Sequence, residues 1–260
     1  YAAPVFAQSP TNSNETTLPT GEEVAAHINS RYGGKAVSRK LSIEMRDRRG
    51  KIRQRETMSY RKYFAEEKRT VIFYLAPKNI KDTAFLTYDY SDPGLEDNQW
   101  LYLPALRKVR RISAADRGDY FLGTDMTYED IKLETRVSTA DFNFQTIGNC
   151  DANGKPGLQI EGTPKTPEIA RELGYSKTQS CVDSEVWMVR TSQFWDIKGN
   201  LLKTVTISNI EQIQGIWTQQ NIDVENHKTG HSTGLTFSEV DYQSPVADAI
   251  FTTNAIKRGL

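Results

Sequence analysis

Residues 99–130 read QWLYLPALRKVRRISAADRGDYFLGTDMTYED. The stretch opens as an aromatic and aliphatic strand, breaks at Pro104, and resumes in a basic run of Arg107, Lys108, Arg110 and Arg111. It then gives way to an irregular segment that mixes acids with large apolar residues. A plain surface loop has no use for so many aromatics, so the meaning of the segment rests on its flanks.

Upstream, apolar and polar residues alternate over 38–47 and 51–64 around an Arg49-Gly50 turn, and again over 70–76, 83–90 and 100–103. Period two with short turns predicts antiparallel hairpins in a meander. Such a sheet is wet on one face and buried on the other. Downstream, strands are expected at 135–143, 185–196, 201–212, 215–225 and 232–242, with 197–200 as a hairpin turn. Helices are few. Thr20-Gly21-Glu22-Glu23 forms a capping box ahead of Val24, Ile28 and Tyr32 on one face, and Gly33-Gly34 ends that helix. A second short helix starts at Thr166-Pro167 and stops at Gly174. The last fifteen residues, VADAIFTTNAIKRGL, read as a turn of helix that caps an edge. About ten strands joined by hairpins predict a mainly β fold, one strongly curved antiparallel sheet forming an incomplete barrel. Short helices and the irregular middle segment are available as a lid over its concave face, and residues 20–260 form one domain.

The formal net charge is zero, which argues against a nucleic-acid binder driven by overall electrostatics. The charge is uneven: residues 31–69 hold 14 Lys/Arg against 5 Asp/Glu, and residues 82–151 hold 7 against 13. Solvated strand faces are the expected explanation. Residues 1–19 are read as a signal-peptide remnant and a polar tether, with Val5-Phe6-Ala7 fitting a cleavage site before Gln8. No run of eighteen apolar residues exists to span a membrane. In an exported chain Cys150 and Cys181 are expected to form a disulfide, since neither has a CxxC partner or a nearby histidine for metal.

No catalytic set emerges. Gly230-His231-Ser232-Thr233-Gly234 matches the letters of a nucleophile elbow, but both flanks are strand-like and every histidine precedes Ser232. Arg117-Gly118-Asp119 and the Asn14-Glu15-Thr16 sequon are short enough to arise by chance. Asp116, Asp119, Asp125, Glu129 and Asp130 lack calcium-loop spacing and are expected to form a solvated acidic rim, partly paired with the 107–111 basic run. No phosphate loop, dinucleotide fingerprint or zinc motif is present, so no cofactor or metal is expected and the chain is not read as an enzyme. The concave face is then either filled by side chains or left as a ligand cavity. Tyr120-Phe121-Leu122 and Met126-Tyr128 carry residues of a size to plug or line such a space.

Three blocks are distinctive: residues 73–86 (FYLAPKNIKDTAFL), residues 100–112 (WLYLPALRKVRRI), and residues 116–119 (DRGD) followed by 123–130 (GTDMTYED). With Thr229-Gly230-His231-Ser232-Thr233 ahead of the last strand, they make the chain from residue 21 onward resemble the LolA/LolB-like outer-membrane lipoprotein-sorting proteins of Gram-negative bacteria. The resemblance is to a larger LolA-like branch often linked to RND-type exporters. It implies an incomplete β-barrel with helices as lid over an apolar cavity that holds acyl chains in the periplasm. On that basis Leu75, Phe85, Trp100, Tyr102 and Leu106 are expected as cavity wall, and Phe121, Met126 and Tyr128 as lid. Lys108, Arg110 and Arg111 are expected to meet an anionic headgroup or a partner surface. The expected function is a monomeric periplasmic carrier of lipid or lipoprotein acyl chains toward an outer-membrane acceptor. The alternative is an accessory protein that docks on an inner-membrane exporter.

Overall fold

A computed structural model of the chain describes residues 17–92, 94–134 and 136–260. The expected cleavage site, nearly all of the tether and the Asn14-Glu15-Thr16 sequon lie outside the described residues.

The first meander comprises β1 (Ala36–Arg46), β2 (Ile52–Tyr63), β3 (Glu67–Ala76), β4 (Ala84–Tyr90), β5 (Asn98–Leu103) and β6 (Lys108–Ile112). The second comprises β7 (Phe142–Asp151), β8 (Pro156–Pro164), β9 (Tyr175–Asp183), β10 (Met188–Asp196), β11 (Leu201–Ile213), β12 (Ile216–Asn226) and β13 (His231–Asp241). All belong to one antiparallel sheet in the order β6-β5-β4-β3-β2-β1-β13-β12-β11-β10-β9-β8-β7. The two meanders meet at the β1–β13 pair, where Leu41 faces Phe237 and Ile43 faces Leu235. The outer strands β6 and β7 do not pair with each other, so the sheet stays open.

Thirteen strands stand where about ten were expected. The segment between the cysteines, where only a helix was expected, also contributes β8 and β9, and the strand expected at 135–143 lies instead at Phe142–Asp151. The disulfide explains why these strands are hard to read. Cys150 on β7 and Cys181 on β9 bridge across the face of β8, with an S–S distance of 1.98 Å. Gly157 of β8 lies beneath them, and a Cβ there would fall 2.8 Å from Cys150 Sγ and 3.1 Å from Cys181 Sγ. The missing side chain of Gly157 is what lets the bridge cross a strand.

Alternation gives the sheet a buried inner face and an outer face that is covered only in part. The inner face gathers Leu41, Ile43 and Met45 of β1, Ile72 and Tyr74 of β3, Phe85, Leu101, and Val205, Ile222, Val224 and Leu235 from the second meander. The outer face of β3 and β4 carries Val71, Phe73, Ala84 and Leu86, which pack against Val246, Phe251 and Ile256. Those last three belong to the C-terminal segment, which includes α4 (Thr253–Arg258). The Tyr88 hydroxyl anchors that segment by donating to the Phe251 carbonyl at 2.6 Å.

The first helix, α1 (Gly21–Ser30), starts with the expected capping box: the Glu23 N–H donates to Thr20 Oγ1 at 3.2 Å, and the Thr20 N–H to Glu23 Oε2 at 2.7 Å. Its Val24 and Ile28 dock on Leu158, Ile160 and Val182 of β8 and β9. Tyr32 does not extend this stripe: the helix ends at Ser30 and Tyr32 is exposed. Between β6 and β7, residues 113–141 cross the inner face and contain α2 (Tyr128–Leu133). The helix expected after Thr166 is α3 (Pro167–Leu173), closed by Gly174 in the left-handed region.

Candidate functional site

Residues 113–141 form a lid whose apolar side chains fill the inner face. Phe121 is fully buried, 4.9 Å from the Phe85 ring and 5.5 Å from Tyr128. Met126 and Tyr128 join the same cluster. Each aromatic contact adds about 0.5–1.5 kcal/mol beyond the area it buries.

The expected acidic rim holds for Asp119, which is exposed, and for Asp116, which pairs with Arg110, but it is corrected for the other three acids. Asp125, Glu129 and Asp130 are enclosed and paired, not with Arg107–Arg111, but with groups on the inner face and within the lid. Asp125 accepts from the Thr233 hydroxyl at 2.7 Å and from Asn226 Nδ2 at 3.0 Å, and its own N–H donates to Thr233 Oγ1. Lys203 of β11, fully buried, donates to the Asp130 carboxylate at 2.5 Å and to the Asp125 carbonyl at 3.2 Å. Glu129 pairs with Lys132 at 2.8 Å. Glu134, just past α2, meets Arg39 of β1 at 2.5 Å and Arg61 of β2 at 3.6 Å. Lys68 of β3 donates to the Lys132 carbonyl at 2.8 Å.

The uneven charge of the sequence is thereby explained only in part by the expected solvated faces. Several of the excess cations of residues 31–69 point inward and meet the excess anions of residues 82–151. Burial opposes the Glu134 carboxylate, but Arg39 and Arg61 outweigh it and draw its pKa from 4.5 down to about 2. Burial likewise works against the Lys132 ammonium, yet Glu129, Asp97 and Asp89 outweigh it and hold its pKa above the ordinary range.

Arg117 fastens the lid laterally, reaching Asp141 at 2.8 Å and Glu172 at 3.1 Å. Next to it, a Cβ on Gly118 would fall 2.1 Å from the Glu172 carbonyl oxygen, so only glycine lets the lid lie against the end of α3. The adhesion-like tripeptide at 117–119 is thus part of the lid's packing.

Between the lid, α3 and the second meander lies an apolar cavity of about 120 Å³. Its walls include Phe142, Phe144, Tyr175, Val189, Phe194 and Val205, with Met126 from the lid. Burial, followed by the nearby Asp130 carboxylate, raises the Tyr175 hydroxyl well above its ordinary pKa, so this wall stays neutral.

The expected site residues fall into two groups. Phe85, Phe121, Met126 and Tyr128 stand on the inner face, and Met126 reaches the cavity. Four expected wall residues do not. Trp100 and Tyr102 alternate with inward Leu101 and pack on the outer face under the C-terminal segment. Leu75 follows Phe73 on that outer side and is 39% exposed, and Leu106, in a short turn after β5, is 62% exposed. Period two identifies two faces but does not say which is inner, and the aromatic face of β5 is covered by the chain's own C-terminus. Lys108, Arg110 and Arg111 lie on edge strand β6, away from the cavity walls; Arg110 pairs with Asp116 at 3.1 Å and Arg111 with Glu96 at 3.6 Å. Basic residues on an open edge also discourage edge-to-edge pairing. The aromatic and aliphatic walls from β7 to β11 were missed; Phe142 and Phe144, two residues apart, were the available signal. Ser232 sits within β13 and so lacks the strand-to-helix turn of a nucleophile elbow.

Known proteins place this architecture. A family model described as "uncharacterized protein" matches residues 66–258. A crystal structure of a domain assigned to outer membrane lipoprotein sorting, from Vibrio parahaemolyticus, is similar with a TM-score of 0.82 at 26% identity, covering 92% of this chain and 98% of that one. The chain belongs to the family of the matching model. A DUF1329 family protein from Desulfovibrio piger is as similar, with a TM-score of 0.82 at 25% identity over 91% of this chain and 97% of that one. A LolA superfamily protein from Nitrosomonas europaea shares the fold with a TM-score of 0.68 at 19% identity over 91% and 99%. A search of curated proteins finds no match. Among the described residues no helix is long and apolar enough to cross a membrane.

Proposed function

We propose that the protein is a periplasmic carrier that binds lipid or lipoprotein acyl chains between the inner face of the sheet and the lid, and moves them toward the outer membrane. The observation that carries this reading is the lid itself. Its Phe121, Met126 and Tyr128 fill an apolar sheet face that would otherwise face water. At about 120 Å³ the remaining cavity is smaller than the roughly 300–1,000 Å³ of sites that enclose a ligand. Loading therefore requires the lid to lift, exchanging its own apolar side chains for acyl chain at about 25 cal/mol per Å² of apolar surface removed from water. The likeness to structures assigned to lipoprotein sorting supports a carrier rather than an enzyme. It gives no support to docking on an exporter as the main role. The exposed basic strand β6 is the surface we assign to a donor or acceptor partner.

The test is uptake of a fluorescent acyl probe by delipidated protein, together with native mass spectrometry for lipid that copurifies. Phe121→Ala should take up more probe than the wild type, because it vacates the inner face. If neither protein binds the probe and none carries lipid, the carrier reading fails.

A further inference from the structure

The inner end of the apolar cavity opens on a cluster of arginines. Arg31, at the end of α1, and Arg136, after the lid helix, line the cavity itself together with Glu134 and Gln219. The same four residues line a narrow adjoining recess that adds Arg39 and Arg61. Four guanidinium groups thus surround one carboxylate.

The other acids of the cavity wall already lie against other cations, with Lys132 shared by Asp97 and Arg117 by Glu172. Glu129 pairs with Lys132, Asp130 with Lys203 and Asp141 with Arg117, at 2.8, 2.5 and 2.8 Å. Glu134 is taken by Arg39 and Arg61. Among the described residues, Arg31 and Arg136 make no ion pair. Arg31 donates only to the Trp217 carbonyl, at 3.2 Å, and Arg136 lies over the Tyr63 ring at 4.9 Å. Burial, and then the neighbouring Arg61, lowers the pKa of Arg31, as expected for a cation short of a counter-charge. Gln219, 3% exposed, faces both spaces, and its Nε2 has no hydrogen-bond partner among the described residues. The Nε groups of Arg31, Arg39 and Arg61 are in the same condition. Buried donors without acceptors are costly, and their presence at one end of an apolar cavity points to an anion that completes them.

We propose that Arg31, Arg136 and Gln219 form the headgroup site for an anionic amphiphile, whose acyl tail enters the apolar cavity and whose carboxylate or phosphate meets the guanidinium groups. This rests on the carrier reading and names the chemical class of its cargo. Guanidinium matches both oxyanions by paired, charge-assisted hydrogen bonds. Glu134 belongs to the lid and occupies the neighbouring Arg39 and Arg61. A headgroup arriving at the cluster therefore competes with the ion pair that holds the lid, linking cargo charge to opening.

Calorimetric titration of delipidated protein with dodecanoate, dodecyl phosphate and dodecanol, each below its aggregation concentration, tests this. The wild type should bind both anions about tenfold or more tightly than the alcohol. In Arg31→Gln/Arg136→Gln, two half-buried positions outside the ion pairs that hold the lid, affinity for the anions should fall to that for dodecanol. In Lys108→Gln/Arg110→Gln/Arg111→Gln the preference should persist. Equal binding of all three ligands by the wild type would overturn the headgroup site and leave the carrier reading standing. A preference that survives in the Arg31/Arg136 variant, or that vanishes in the β6 variant, would also overturn the site. Binding of none of the three would overturn both.

Discussion

Replacing Glu134 by Gln removes the carboxylate shared by Arg39 and Arg61 while keeping its size. The folded pKa of about 2 against 4.5 in a solvated chain corresponds to about 3 kcal/mol in favour of the closed lid at neutral pH. Breaking a buried ion pair from one side costs a similar 3–5 kcal/mol. The pKa is depressed on closing, so this contribution is present above about pH 4.5 and disappears as pH falls through about 2. Hydrogen exchange reads it directly at lid amides: the Phe121 N–H donates to the Met126 carbonyl at 2.7 Å, and the Tyr128 N–H to the Asp119 carbonyl at 3.1 Å. In Glu134→Gln their protection at pH 7 should drop roughly 100-fold, with central amides of β1 much less affected. The ratio between wild type and variant should shrink steadily between pH 4.5 and pH 2. Unchanged lid protection at pH 7, or a ratio that does not vary with pH across that window, would show that Glu134 does not latch the lid.

Three further substitutions bear on the architecture. Gly118→Ala should destabilise by about 1–3 kcal/mol, because its methyl group collides with the Glu172 carbonyl; thermal unfolding and exchange at the lid report it. Cys150→Ala/Cys181→Ala removes a cross-link between residues 31 apart, and denaturant unfolding should show a loss of about 3–4 kcal/mol. Arg110→Ala/Arg111→Ala removes only exposed pairs at the sheet edge, so the melting temperature should stay within about 2 °C of the wild type.

The meanders were legible wherever one face of a strand is wet. In β1 the apolar positions Leu41, Ile43 and Met45 alternate with Lys40, Ser42 and Glu44, and no other element type fits that period. The caps of α1 and α3 were equally plain, since Thr20 and Thr166 carry their helix signals locally. Legibility failed where tertiary structure reassigns a face. Trp100 and Tyr102 look like interior residues, and they are half-buried, but the covering surface is a C-terminal segment about 150 residues away that no local pattern identifies. It failed again at Arg39, Arg61 and Lys68, whose charges read as solvated until the acids of the lid are placed above them. The arginine cluster has no sequence signature, because Arg31, Arg39, Arg61 and Arg136 come from four separate elements.

The lid differs from a flap in one respect that follows from chain connectivity. Residues 113–141 begin where β6 ends and finish where β7 begins, and β6 and β7 are the two free margins of the open sheet. The segment is therefore a strap fastened at both ends, like a bowstring across the curve of the sheet. It cannot swing away about a single hinge. It can only bow outward between fixed anchors, or slacken as the two margins approach each other, so the curvature of thirteen strands and the height of the lid are mechanically linked.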